Sequence, residues 1–344
     1  MLYPTLRAIA AAPFEQVLYL TARTSGGIAA ERAARQLESR SPPIRWLRLQ
    51  SRAQGCGAAV PKCVEGDCPR ARGYYDRLPA ALAAVPEFAA LDAQAIRALA
   101  DRFALCPFEL SLDLAPWVDL IIGDYNYVFD PEVRLKRLAD GRERFLLIDE
   151  AHQLSPRAID SLSATLDLAA LGEQCARLPD SALRRALAQI RAVPVPSGSG
   201  PLPAQTLEQL ERRIDVLFQT LAPMNWQEEL DEAQRQLLWD LAHWRRRSEL
   251  RETLPYVALQ AEDAACLQLR CLDAGTYLAE QLGRYHGNVR FSGTLTPHEL
   301  TAQLHGQHDA PAAHIGSPVA ATQLAVTIVT DVPTYLRQRE RSLP

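Results

Sequence analysis

Arg144-Phe-Leu-Leu-Ile-Asp-Glu-Ala-His-Gln153 constrains this chain more than any other stretch. Phe145 to Ile148 is an uninterrupted apolar run with no polar face. Such a run predicts a strand buried on both sides, as in a parallel sheet covered by helices. Asp149, Glu150, Ala151 and His152 follow at once. In open α/β sheets, ligands bind beyond the carboxyl ends of the strands, so both acids fall where a nucleotide would lie. A carboxylate there can hold Mg²⁺ through water, because the ion is hard and prefers oxygen. A second carboxylate, one residue on, can orient or deprotonate an attacking water. The competing reading is a strand that happens to end in a solvated acidic turn.

The chain has 344 residues, more than one core comfortably serves, so two or more domains are expected. A formal net charge of −4 argues against a general polyanion coat but leaves room for a local basic groove. Basic residues cluster at Arg134, Lys136, Arg137, Arg142 and Arg144, and again at Arg245, Arg246, Arg247 and Arg251. Solvated helix faces explain the second group equally well. No stretch approaches the ~20 apolar residues of a membrane span. The opening segment has small residues but lacks a basic leader, and Arg7 interrupts it. It reads as a helix rather than a signal peptide, and the protein as cytoplasmic.

Residues 2–11 read as a helix and Gln16–Thr21 as a second buried strand. A polar turn over 22–27, a helix over 28–37 and a strand over 44–49 complete a βαβ rhythm. That rhythm breaks at Gly55. Cys56, Cys63 and Cys68 lie in a segment too polar to bury itself, and Cys106 follows a helical excursion over 73–84 and 92–105. Intervals of six, four and 37 residues match no common zinc finger. An iron–sulfur cluster tolerates such irregular loops. On spacing alone a cluster, zinc and unliganded thiols all stay open. Cys175, Cys266 and Cys271 read as small apolar residues.

The α/β rhythm resumes with a strand over 117–122 and a loop over 123–130 that enters a helix. From 155 to about 253 the pattern is helical throughout, with a flexible tip at 193–200. The clearest helix spans about 226–250, capped by Asn225 with Glu228 three residues on. Its Trp226, Leu230, Leu237, Leu241 and Trp244 share one face. Packing is the first reading of that stripe, with base stacking as the alternative. A strand over 265–272, a helix over 274–284 and a strand from Val289 running to Pro297 follow. A last strand is predicted over 324–329, with no closing element after it.

These pieces in this order resemble the XPD/DinG-like, iron–sulfur, DEAH-box branch of superfamily 2 DNA helicases. Asp149-Glu-Ala-His152 resembles motif II, Tyr19-Leu-Thr-Ala-Arg-Thr24 motif Ia, and Ser292-Gly-Thr-Leu-Thr-Pro297 motif III. The four cysteines resemble the family's iron–sulfur insertion, and Asp124–Asp130 its Asn-Tyr segment.

The resemblance implies a RecA-like α/β motor domain with a parallel sheet, an iron–sulfur insertion and an all-helical arch. Its parts would be motor domain 1 over 1–55, 107–154 and 263–300, the cluster insertion over 56–106, the arch over 155–262, and the start of motor domain 2 over 301–344. It implies ATP-dependent helicase activity, 5′ to 3′, on single-stranded or forked DNA, and a place in DNA repair. Asp149 would hold Mg²⁺–ATP through water, Glu150 would activate water, and His152 would couple to Ser292, Gly293 and Thr294 of motif III. Cys56, Cys63, Cys68 and Cys106 would hold a [4Fe–4S] cluster. Thr21, Arg23, Thr24, Asn126 and Tyr127 would lie along the DNA.

Two departures stand out. No Gly-x-x-x-x-Gly-Lys-[Ser/Thr] loop occurs, the only lysines being Lys62 and Lys136, and nothing matches motifs V and VI. The sequence therefore reads as the middle of a helicase. The alternative is a non-catalytic single-stranded nucleic-acid-binding portion with a structural metal site, iron–sulfur or zinc.

Overall fold

The computed structural model describes residues 1–9, 14–38, 44–56, 68–85, 90–139, 141–178, 181–196, 198–222, 230–261, 266–316, 320–323 and 325. Two compact units divide it, 1–308 and 309–344. Within the described part of the second lies one short 3₁₀ turn, Ala321–Gln323. The strand expected over 324–329 falls outside the described residues except for position 325.

The first unit is built on a parallel six-stranded sheet. Its strands are β1 (Gln16–Thr21), β2 (Trp46–Arg48), β3 (Ala90–Leu91), β4 (Leu120–Asp124), β5 (Gly141–Asp149) and β10 (Tyr285–Phe291), in the order β10-β5-β1-β4-β2-β3. Every residue of β1 is buried. Alternate side chains of the central strands go to opposite faces, as the pleat requires. Leu18, Leu20, Ile121, Leu146 and Ile148 enter one core, and Val17, Tyr19, Leu120, Ile122 and Leu147 the other. Helices α1 (Leu2–Ala8) and α2 (Thr24–Glu38) cover the second face through Leu2, Leu6, Ala30, Ala34 and Leu37. The short helix α3 (Arg52–Gly55) follows β2.

The opposite face is covered by α4 (Tyr74–Ala83), α5 (Ala93–Arg102) and α6 (Pro107–Leu114), and by α9 (Leu154–Leu162) and α14 (Gly275–Gly283). Asp92 caps α5 through a bond from Ala95 N at 2.8 Å, as its sequence position implies. Two short helices, α7 (Asn126–Phe129) and α8 (Lys136–Ala139), link β4 to β5. The strand expected over 117–122 starts later, because Ala115–Trp117 is a 3₁₀ turn containing Pro116.

The residues after α9 depart from expectation. The segment 155–262 is not all-helical: β6 (Ala164–Asp167), β7 (Gly200–Pro201) and β8 (Tyr256–Gln260) form with β9 (Cys266–Cys271) an antiparallel sheet in the order β6-β9-β8-β7. In Ala164-Thr-Leu-Asp167 burial alternates strictly, a strand signal too short to stand out among helices. Helices α10 (Leu168–Arg177), α11 (Ala182–Arg191), α12 (Ala204–Leu221) and α13 (Glu232–Glu249) pack on that sheet around a core of their own. The helix expected from Trp226 begins at Glu232, where Asp231 and Gln234 form a full capping box. Asn225, Trp226 and Glu228 lie outside the described residues. Leu230, Leu237, Leu241 and Trp244 are buried, so packing accounts for the described part of that stripe.

Candidate nucleotide and nucleic-acid site

Parallel pairing lines up the carboxyl ends of four strands. Thr21 of β1 is in register with both Asp124 of β4 and Asp149 of β5, and Asp149 with Phe291 of β10. The acid turn therefore sits in the middle of the sheet's loop-bearing edge, where α/β proteins bind ligands.

Asp149 is held on several sides. Tyr19 Oη donates to Asp149 Oδ2 at 2.9 Å, and Glu150 N donates to Oδ1 at 2.9 Å. Tyr125 Oη donates to the Asp149 carbonyl. Burial first, and then the Asp149 charge, push both phenols well above the usual tyrosine range, so they remain donors. Each carboxylate oxygen keeps a lone pair, enough for water or a hard cation.

Glu150 takes a left-handed conformation, φ 53°, rare for a residue with a side chain and concentrated at functional sites. The kink turns its carboxylate toward β10. Ser292 Oγ donates to Glu150 Oε2 at 3.2 Å and lies 2.8 Å from His152 Nδ1. His152 Nδ1 is also 3.3 Å from Glu150 Oε2. A proton on Nδ1, donated to Ser292 Oγ, makes all three contacts consistent. Thr294 N donates to the same Oγ at 3.3 Å. Glu150, His152, Ser292 and Thr294 thus form one hydrogen-bonded set spanning two strands, while Glu150 keeps 35% side-chain exposure. Around Gly293, a Cβ would have no atom within 4 Å.

The loop after β1 differs from the sequence reading. Helix α2 starts at Thr24, so Gly26 and Gly27 lie within it rather than in a turn. Both glycines serve close approach: a Cβ at Gly26 would be 2.3 Å from Thr21 Oγ1, and one at Gly27 1.7 Å from Arg48 Nη1. Arg23 and Thr24 are exposed. Thr21 is not: it is 3% exposed, and its hydroxyl accepts from Arg23 N at 3.3 Å. It shapes the loop from beneath and presents no surface to DNA.

Tyr127 also needs correction. Its ring is buried against Gly123, whose missing Cβ leaves room for it, and so offers no face for base stacking. Burial raises its hydroxyl to about 12. Asn126 is half-buried, its backbone N–H bonded to Asp124 Oδ1 at 2.9 Å.

Sequence reading missed Tyr19 as a partner of Asp149, and missed Arg157. The signal for Tyr19 was available, since two residues before the end of a buried strand its hydroxyl must find a partner.

Cys56, Cys68 and Cys106 are half-buried free thiols. The fold brings their segments together: a Cβ on Gly55 would touch Pro107 and Phe108, and Arg70 Nη1 donates to the Leu105 carbonyl at 3.0 Å. Cys63 lies outside the described residues. Among the described residues no three His, Cys, Asp or Glu side chains group as a metal site.

A doubly covered parallel sheet thus carries at its loop-bearing edge an Asp-Glu-x-His turn linked to a hydroxyl at the end of the neighbouring strand. Parts of the chain are similar to known proteins. The DEAD_2 family model matches residues 28–171. Curated relatives are regulator of telomere elongation helicase 1 homologues. One from Caenorhabditis elegans is 30% identical over 102 residues, 28% of this chain and 10% of the relative. One from Anopheles gambiae is 28% identical over 109 residues, 30% of this chain and 11% of the relative. These matches cover only about a tenth of the relatives' length.

Among solved structures, a truncated XPD superposes with TM-score 0.55 at 18% identity, covering 89% of this chain and 88% of that one. An XPD helicase gives TM-score 0.53 at 17% identity, covering 88% and 55%. The fold is that of XPD helicases, and residues 28–171 match the DEAD_2 family model.

Proposed function

We propose that this chain forms part of an ATP-dependent DNA helicase that moves 5′ to 3′ on single-stranded DNA and opens duplexes. The observation that carries the reading is the hydrogen-bonded set joining Glu150 and His152 to Ser292. It connects the acid that would orient water to the strand end that continues toward residues beyond 300. Asp149, anchored by Tyr19, would hold Mg²⁺ through water. The ion, when bound with ATP, would neutralise charge developing on the transferred phosphate. Glu150, kinked and half-open, would position the attacking water and accept its proton. Arg23 and Thr24 would contact DNA phosphates.

The four thiols suit a [4Fe–4S] cluster in donor chemistry, since thiolates are its usual ligands and the fold joins three of their segments. Its role would be structural.

Turnover tests the reading. No phosphate loop occurs in the sequence, so phosphate release by the chain alone is expected near background. Joined to a relative's phosphate-loop segment and second motor domain, it should hydrolyse ATP in the presence of single-stranded DNA. Glu150→Gln should then remove that turnover by roughly 10³-fold. Turnover unaffected by Glu150→Gln would overturn the assignment.

The second reading, a non-catalytic single-stranded-DNA binder, rests on the exposed Arg23 and Thr24. Fluorescence anisotropy with a labelled oligonucleotide should show weak binding that falls steeply with salt and weakens in Arg23→Ala. Binding unchanged by that substitution would remove the loop from the DNA path.

A further inference from the structure

Arg157 lies on α9, which follows the acid turn directly, yet its guanidinium reaches three other elements. Nη1 donates to both Asp124 oxygens, at 3.1 and 3.2 Å, at the end of β4. Nη2 donates to the Ala22 carbonyl at 2.9 Å, the residue before Arg23 and Thr24. The guanidinium also sits over the Tyr125 ring, 5.8 Å from its centroid, and the hydroxyl of that tyrosine holds the Asp149 carbonyl. Asp124 is fixed in turn by accepting from Asn126 N at 2.9 Å.

A planar fork can serve a carboxylate, a carbonyl and an aromatic face together; a lysine ammonium cannot. We infer that Arg157 is a positioning residue that couples the loop at residues 22–24, exposed at Arg23 and Thr24, to the acid turn, so that a nucleic-acid strand bound on the loop is felt at Asp149. This rests on the DNA-facing reading of that loop proposed above. The route is short: strand phosphates would draw on Arg23 and Thr24, the Ala22 carbonyl would shift, and Arg157 would carry the shift to Tyr125 and Asp149.

The test uses the whole chain with 3-fluorotyrosine in place of tyrosine. The Tyr125 fluorine resonance is assigned by its loss in Tyr125→Phe. A short oligothymidylate, followed by anisotropy in the same samples, should move that resonance in the wild type. In Arg157→Lys the oligonucleotide should still bind while the resonance stays in place. Arg157→Ala should behave the same way, with thermal melts confirming that each variant is folded. Asp124→Asn, which loosens the guanidinium without removing it, should reduce the movement.

A resonance that moves as in wild type in both arginine variants would overturn the coupling. A folded variant that loses binding altogether would also overturn it, because Arg157 would then be a DNA contact rather than a link. Wild-type binding without movement defeats the coupling alone. No wild-type binding defeats the DNA-facing reading as well.

Discussion

A methyl group at position 26 would stand 2.3 Å from Thr21 Oγ1 and 3.0 Å from Asp149 Oδ2. In an unconstrained helix, Gly→Ala gains up to ~1 kcal/mol. Here the sign should reverse, because Thr21 is buried and β-branched and cannot swing away. Gly26→Ala is expected to destabilise the fold by ~1–3 kcal/mol, measured by thermal or urea denaturation. Gly27→Ala should cost less, since it meets only the end of the flexible Arg48 side chain. A second residue-scale test concerns His305, which is 1% exposed and bonds the backbone of Ala151 inside the acid turn. Burial, then the nearby Arg290 charge, lower its pKa to about 4. The unfolded chain takes up the proton first, so His305 stabilises the fold fully above about pH 6.5. That contribution, up to about 3 kcal/mol, is lost as pH falls toward 4. Stability measured between those values should slope less in His305→Gln than in wild type.

At the scale of elements, the join between α13 and the parallel-sheet part turns on a buried charge. Arg247 is 2% exposed; its Nε donates to the Ser161 carbonyl at 2.9 Å, and Nη1 lies 3.3 Å from Glu132 Oε1. Removing the carboxylate strands a buried cation, whereas removing the cation leaves a half-exposed carboxylate that water can serve. Glu132→Gln is therefore expected to cost more than Arg247→Met, by ~1–3 kcal/mol, in urea unfolding. Equal costs would mean that water relaxes around the guanidinium. Elements also show what the sequence makes legible. β1 matches its expected bounds because an unbroken apolar run buried on both faces has one interpretation, and Asp149, Glu150 and His152 are brought together as their motif implied. The start of α2 was hidden because Gly26 and Gly27 read as a turn, and only the approach of Thr21 and Arg48 shows why glycine stands in a helix. Of the sheet beyond α9 only β9 was legible, as the strand expected over 265–272; β6 and β8 were hidden because they are short and lie about 90 residues apart across a helical pattern. Tyr127 was legible as an aromatic residue, but the absent side chain of Gly123 decides that it points inward.

Over the whole molecule, segments far apart in sequence depend on one another. Of the four candidate ligands, Cys56, Cys68 and Cys106 are described and only half-buried, so binding of a cluster and ordering of the loops that carry them should be coupled. Cys106→Ser is expected to lower iron content and raise protease sensitivity around Cys56 and Cys68, while α4, α5 and the sheet they pack on stay folded. Iron assay and limited proteolysis on anaerobically purified protein check this, and full iron with full resistance would remove Cys106 from the ligand set. The strand order has a consequence for synthesis. β1 pairs along its two edges with β4 and β5, whose first residues come at positions 120 and 141. At ~5–20 residues per second, a ribosome needs roughly 5–20 seconds to supply β4 after β1 is made. Throughout that interval the apolar strand that later carries Tyr19 beneath Asp149 has no partner along either edge. Protection of the strand on the nascent chain would come from helices α1 and α2 or from chaperones, so the centre of the finished sheet stays unpaired along both edges while the intervening residues are made.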